Sequence, residues 1–271
     1  MGFKNYFCVE KRSNIWYNRV RIKGRCFYMK IKDKINMDSN GLANNGAINI
    51  VAFGDSITHG AFGPGDIDYE AVYWNLLKRK IESVRKYVPV NVINSGIGGL
   101  TAEGSLARLE RDVLFHHPDL VIVCFGLNDV NGPLENYVAA LKVIFERCRD
   151  TGAEVIFMTP NMLNTYVADD ADPAFLDYAA VTAEMQNGGK FDKYISAACD
   201  AALICGVTVC DCYAEWKKLY NEGVDTTTLL ANRINHPTKQ MHHLFADKLF
   251  ETIFGSENTA SAPEESTMYR G

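Results

Sequence analysis

A parallel, doubly wound α/β sheet is the fold class this sequence predicts: three αβα layers of the flavodoxin-like kind, with about five strands. Two observations predict it. Five short apolar runs of strand length punctuate the chain, and longer stretches with helical spacing lie between them.

The runs cover residues 48–53, 90–94, 120–125, 155–159 and 207–212. They are rich in Val and Ile and mostly continuous rather than alternating, as strands covered on both faces should be. Residues 69–87 bring Val72, Tyr73, Leu76, Leu77, Ile81 and Val84 near one face, and 134–148 do the same with Tyr137, Val138, Leu141 and Ile144. Both read as crossover helices. Pro237 can open a further helix at its first position, with Met241, Leu244, Phe245 and Leu249 spaced to pack inward. Residues 161–189 break the rhythm. They are weakly patterned and acidic in the middle (Asp169, Asp170, Asp172), which suits either a lid over a site or a plain surface excursion.

At 271 residues, 47% of them hydrophobic and 23% charged, the chain suits one α/β domain with tails. Residues 47–254 form the expected domain. Residues 1–46 hold ten Lys/Arg against three Asp/Glu, a balance of +7, so the remainder carries −12 of the overall −5. They read as a basic extension outside the core; a hairpin within 15–35 would fit, and no nucleic-acid-reading motif is present. Residues 255–271, rich in Ser, Glu, Ala and Thr, read as a disordered tail. No stretch has the roughly 18 to 20 apolar residues of a membrane span, and Lys4, Glu10, Lys11 and Arg12 interrupt any signal-peptide core, so the expected location is cytoplasmic. The eight cysteines agree: Cys124, Cys148, Cys199 and Cys205 lie within apolar patterns and no metal-type C-x-x-C occurs. Cys210 and Cys212, astride Asp211, suit packing on one strand face as well as redox work.

Ligands of open parallel sheets bind beyond the carboxyl ends of the strands. Three such positions are chemically suggestive here: Gly54-Asp55-Ser56-Ile57-Thr58, Ser95-Gly96-Ile97-Gly98-Gly99 and Gly126-Leu127-Asn128-Asp129. A serine at such a turn attacks a carbonyl if a base takes its proton and N–H donors hold the oxyanion. Gly99 offers a backbone N–H, Asn128 a side-chain amide, and His236 the base. Each also has a plainer use, with Ser56 as a helix cap, the glycines as a tight turn and Asn128 as a loop support. Their occurrence together and in order, at strand ends, favours chemistry. His242 and His243, adjacent on a helix, point apart and suit surface or packing roles rather than metal ligation.

Gly54-Asp55-Ser56-Ile57-Thr58 resembles the first block of the SGNH (GDSL-type) hydrolases. Asn94-Ser95-Gly96-Ile97-Gly98-Gly99 is similar to the second, Gly126-Leu127-Asn128-Asp129 to the third and Asn235-His236-Pro237 to the fifth. The resemblance covers about 48–254. It implies Ser56 as nucleophile, an oxyanion hole of Ser56, Gly99 and Asn128, His236 as base, and no metal or organic cofactor. The reaction it implies is hydrolysis of a small or carbohydrate O-acyl ester through an acyl-enzyme, with a small-molecule ester as the partner. Acyl-thioesterase or lysophospholipase action, a non-catalytic ligand-binding module, and an adaptor working through the basic arm are the other readings.

One position departs from the family pattern. Three residues before the histidine, where the family carries aspartate, stands Arg233, which cannot accept the imidazole N–H. Asn232, Asn235, Asp225, Asp211 or a backbone carbonyl in 232–234 could orient His236 instead, and the sequence does not choose among them.

Overall fold

The computed structural model describes residues 30–255 with their side chains, together with the backbone of five short strands between residues 7 and 27. Of the latter, Arg19–Ile22 and Arg25–Phe27 pair antiparallel, a hairpin inside the expected 15–35 window. The expected tail from 256 onward lies outside the described residues.

The sheet has five strands, β1 (Ile48–Gly54), β2 (Val90–Gly96), β3 (Leu120–Cys124), β4 (Glu154–Met158) and β5 (Thr208–Cys210). Their order is β5-β4-β3-β1-β2 with every pairing parallel, which is the flavodoxin-like order. The direction of winding reverses between β1 and β3, and register places Gly54 opposite both Gly96 and Cys124. The segments that follow β1, β2 and β3 therefore leave the sheet at one level.

Helices cover both faces because their apolar stripes match the sheet. Tyr73–Val84 buries Tyr73, Leu76, Leu77 and Ile81, while Val84, expected on the same face, is 48% exposed at the frayed end. Leu134–Asp150 buries Tyr137, Leu141 and Ile144. The last helix, Met241–Phe254, buries Met241, Phe245 and Leu249 but begins four residues after Pro237. Pro237 instead lies in an isolated antiparallel bridge with Leu230, so it is not the helix's opening residue. Among the described residues, no helix is long and apolar enough to cross a membrane.

Two further expectations change. Residues 161–164 are buried, and Leu176–Asn187 is a helix whose exposed side carries Leu176 and Val181. Apolar residues on both sides explain the weak pattern. The stretch 30–46 is also not wholly outside the core: Ile31 and Ile35 belong to the buried cluster, and Lys34 Nζ reaches Asp119 at 2.7 Å. Two isoleucines four apart are too short a signal to stand out in a basic arm. Cys210 ends β5 and Cys212 begins the helix Cys212–Asn221, so the two do not share one strand; their sulfurs are 3.8 Å apart, in a thiol hydrogen bond and not a disulfide.

Candidate functional site

The turn after β1 assigns its first two polar residues to different tasks. Asp55, fully buried, accepts the Ile57 N–H at 3.0 Å and caps the short helix Ser56–His59. The cap is therefore Asp55 rather than Ser56, and the serine hydroxyl is left for another partner. That partner is His236, whose Nε2 lies 2.9 Å from Ser56 Oγ across 180 residues of chain.

The two candidate donors are held by each other's segments. Gly99 has φ +79, a left-handed conformation open to glycine, and its N–H meets no backbone acceptor among the described residues. Asn128 Nδ2 donates one hydrogen to the Leu100 carbonyl at 3.1 Å, which fixes the amide and leaves its second hydrogen free to point elsewhere. In return, Asp129 accepts the Ala102 N–H at 2.8 Å. Thus the strap after β2 and the turn after β3 are tied beside Gly99 and Asn128.

Beneath them lies a residue that sequence reasoning missed. Arg108 is buried, donates to the Ser95 carbonyl at 2.7 Å and the Gly54 carbonyl at 3.2 Å, and stacks 4.6 Å over the Phe53 ring. One guanidinium thus fastens the ends of β1 and β2. It lies in an irregular helical stretch with no motif around it, so no local signal marks it. Glycine at position 96 is a requirement of the same packing, because a Cβ there would come within 2.2 Å of the His59 nitrogen.

His236 is presented differently, on a loop stabilised by side chains. Asn232 Oδ1 accepts three backbone N–H groups, from Ile234, Asn235 and His236, at 2.9–3.0 Å. Arg233 adopts φ +60 and turns outward, with its guanidinium on Asp170 at 2.9 Å and on the carbonyls of Thr228 and Leu230. Two further bonds tie this loop to 161–164: Asn164 N–H to the Ile234 carbonyl, and Asn161 Nδ2 to the Asn235 carbonyl, both at 2.9 Å.

None of the groups expected to orient the imidazole does so. Asn232 is occupied by backbone, Asn235 Oδ1 accepts from Asn232, Asp225 accepts from the Tyr166 hydroxyl, and Asp211 caps the helix Cys212–Asn221. The main-chain carbonyl of Phe62, in the hairpin Ala61–Gly63 and Asp66–Ile67 that follows the nucleophile's helix, does no more than favour the protonated ring slightly. His236 Nδ1 is buried and has no hydrogen-bond partner among the described residues. Phe62 is itself buried, 4.9 Å from the His242 ring, and the hairpin is clipped to the loop by Lys239 on Asp68 at 2.8 Å.

Burial dominates the electrostatics. It lowers the His236 imidazole to about 4, with the Phe62 carbonyl opposing the shift, so the ring is a neutral base at neutral pH. Burial lowers His242 to about 3; its Nδ1 accepts the Tyr73 N–H at 3.1 Å, the packing role expected for it. Burial raises Asp55 to about 7 and Asp129 to about 6, the first reinforced by the charge of the second.

The sequence matches the model of the GDSL-like Lipase/Acylhydrolase family over residues 52–244. An acetylxylan esterase of Geobacillus stearothermophilus is 30% identical over 132 residues, covering 41% of this chain and 58% of that protein. The uncharacterized lipoprotein YqeF of Bacillus subtilis is 35% identical over 94 residues, covering 33% of this chain and 35% of that one. The chain thus matches 58% and 35% of the length of these curated relatives. In structure, it is similar to the G. stearothermophilus acetylxylan esterase Axe2, with TM-score 0.60 and 22% identity over 76% of this chain and 94% of that one. It is also similar to an α/β hydrolase, LAE5, from the metagenome of Lake Arreo, with TM-score 0.59 and 22% identity over 77% and 97%. These two structural likenesses concern the fold.

Proposed function

Since the chain belongs to the GDSL-like lipase/acylhydrolase family, we propose that it is a serine esterase that hydrolyses O-acetyl groups from carbohydrate through an acyl-enzyme. The observation that carries this reading is the 2.9 Å contact of Ser56 Oγ with a neutral, buried imidazole. Ser56 Oγ attacks the ester carbonyl while His236 Nε2 takes its proton. The oxyanion is held by the N–H groups of Ser56 and Gly99 and by Asn128 Nδ2, as a preorganised hole requires. His236 then returns the proton to the departing alkoxide. Water, deprotonated by the same nitrogen, attacks the acyl-enzyme, and acetate leaves with Ser56 restored. The imidazole is positioned through its backbone, by the Asn232 side chain that accepts the His236 N–H.

The choice of a carbohydrate acetate draws on the acetylxylan esterase relative. The choice of an acetyl ester over a long-chain ester or a thioester rests on the same relative. A purely binding role is disfavoured by the Ser56–His236 contact.

A panel of acetyl, butyryl and long-chain p-nitrophenyl esters, an acetyl-CoA thioester, and an acetylated xylooligosaccharide tests the reading. Turnover of acetyl esters with release of acetate from the oligosaccharide is expected. Preference for long chains or for the thioester would replace it, and a folded protein inert on the whole panel would overturn it.

A further inference from the structure

Tyr69 stands beside the helix that bears Ser56, yet half of it (51%) is exposed. Single exposed hydrophobics are ordinary on protein surfaces, and this one differs in being immobilised. Its ring lies 6.3 Å from that of His59 with the planes 29° apart, a stacked pair. Its Cδ1 also sits 3.3 Å from the point a Cβ on Gly60 would occupy, so the bare backbone of Gly60 makes room for it. His59 in turn ends the nucleophile's helix one turn after Ser56. A Cβ placed on Gly98 would lie 3.7 Å from Ser56 Cβ and 3.8 Å from His59 Nδ1, so the nucleophile and the histidine of the stacked pair border the same bare backbone.

The surroundings are polar. Asp68 and Asp66 face Lys239, and Glu70 pairs with Arg79 on the exposed flank. A held aromatic face on a segment whose neighbouring residues are paired carboxylates suits a ligand with a flat, weakly apolar face and hydroxyls at its edge, which is the chemistry of a pyranose ring. An acyl chain gains nothing from those charges. A rigid aromatic side chain also binds at small conformational cost, since it has little freedom left to lose.

We propose that Tyr69, stacked on His59, is a platform that binds a sugar ring of the substrate next to Ser56. The assignment deepens the carbohydrate esterase reading above and rests on it for the reaction, but not for the binding.

The test compares wild type, Tyr69→Ala and Tyr69→Phe on an acetylated xylooligosaccharide and on p-nitrophenyl acetate, with folding checked by circular dichroism. Tyr69→Ala is expected to lower kcat/KM for the oligosaccharide about tenfold relative to that for p-nitrophenyl acetate, mainly through KM, as loss of one stacking contact would. Tyr69→Phe should restore the ratio. In parallel, calorimetry follows unacetylated xylohexaose binding to Ser56→Ala and to Ser56→Ala/Tyr69→Ala, with tighter binding expected in the first. An unchanged ratio together with equal xylohexaose affinities overturns the platform. If the wild type hydrolyses neither ester, the esterase reading fails, and the calorimetry alone still decides whether Tyr69 holds a sugar.

Discussion

Ser56, Gly99 and Asn128 stand on segments that leave three hydrogen-bonded strands at one level, whereas His236 hangs from a loop that no strand of the sheet supports. The first half is held by the sheet, by Arg108 across two strand ends and by the exchange between 99–102 and 128–129. The second depends on groups that meet it from distant parts of the chain, namely the Asn161 and Asp170 side chains and the main-chain N–H of Asn164. Chemistry that must be placed to a few tenths of an ångström can thus be carried by strand ends on one side and by a loop held through long-range contacts on the other. The two supports should respond differently to substitution.

The largest effect should come from the chemistry itself. Ser56→Ala and His236→Ala should each reduce p-nitrophenyl acetate turnover by about 10⁴ or more while leaving a folded protein. A serine-directed phosphonate should label wild type and not Ser56→Ala, as read by mass spectrometry. Next, on the strand-borne half, Asn128→Ala should lower kcat by roughly 10² to 10³ with little change in KM, as removal of one oxyanion donor does. An unchanged kcat, with chemistry rate-limiting, would show that the amide serves only Leu100.

The loop half can be broken without touching a reacting group. An aspartate at 233 would inherit an outward-facing position at positive φ opposite Asp170, so Arg233→Asp should supply no carboxylate to the imidazole. It should instead lose the bonds to Asp170, Thr228 and Leu230 and cost roughly 1–3 kcal/mol of stability with reduced kcat. A rise in kcat would show that the loop can turn inward and that a carboxylate is what the site lacks. Truncation tests a region remote from both halves. Removing residues 1–29 should preserve activity, whereas removing 1–36 also takes Ile31, Ile35 and the Lys34 partner of Asp119. That larger deletion should cost several kcal/mol, about what losing buried aliphatic side chains and half of a buried ion pair implies. Urea denaturation of the two truncated chains separates the cases.

The smallest effect is electrostatic, and the halves differ in its sign. Asp55 and Asp129, raised to about 7 and about 6, stay neutral when folded but ionise near their ordinary values when unfolded. Their contribution is full at low pH and is lost as pH rises toward 7. His236 and His242, lowered to about 4 and about 3, behave oppositely: their contribution is full above about 6.5 and is lost as pH falls through those values. The two opposed pairs cancel between about pH 4 and 6, so thermal stability should be nearly flat there and fall only from about 6.5 to 7, where Asp55 alone still titrates. Asp55→Asn should break that cancellation and leave stability rising with pH between about 4 and 6.5. The acid limb of kcat/KM should lie near 4 rather than 6.5, and a limb near 6.5 would mean that the imidazole is far better solvated.

The same contrast explains what could be read from sequence. Ser56, Gly99 and Asn128 follow apolar runs that announce strands, so their meeting could be inferred from topology. His236 could be matched by resemblance, but the group beside its ring could not. Phe62 contributes a main-chain carbonyl, which every residue possesses, and nothing in its identity marks it. Arg108 acts on carbonyls 13 and 54 residues away in sequence, and Arg233 on a carboxylate 63 residues away, contacts that no local pattern encodes. Asp55 was legible as part of a motif but not as the cap that frees Ser56, because serine and aspartate are equally good caps on paper.

The bonds from Asn161 and Asn164 to the carbonyls of Asn235 and Ile234, with the Arg233–Asp170 pair, join residues 161–170 to the histidine loop as one mechanical unit. Segments so joined open together, as a cooperative unit of local unfolding does. In hydrogen exchange, the amides of Asn164 and His236 should then share one opening rate despite their 72-residue separation in sequence. The long excursion after β4 is on this account the wall that carries the base, and it cannot lift away from the cleft while the base stays poised for reaction.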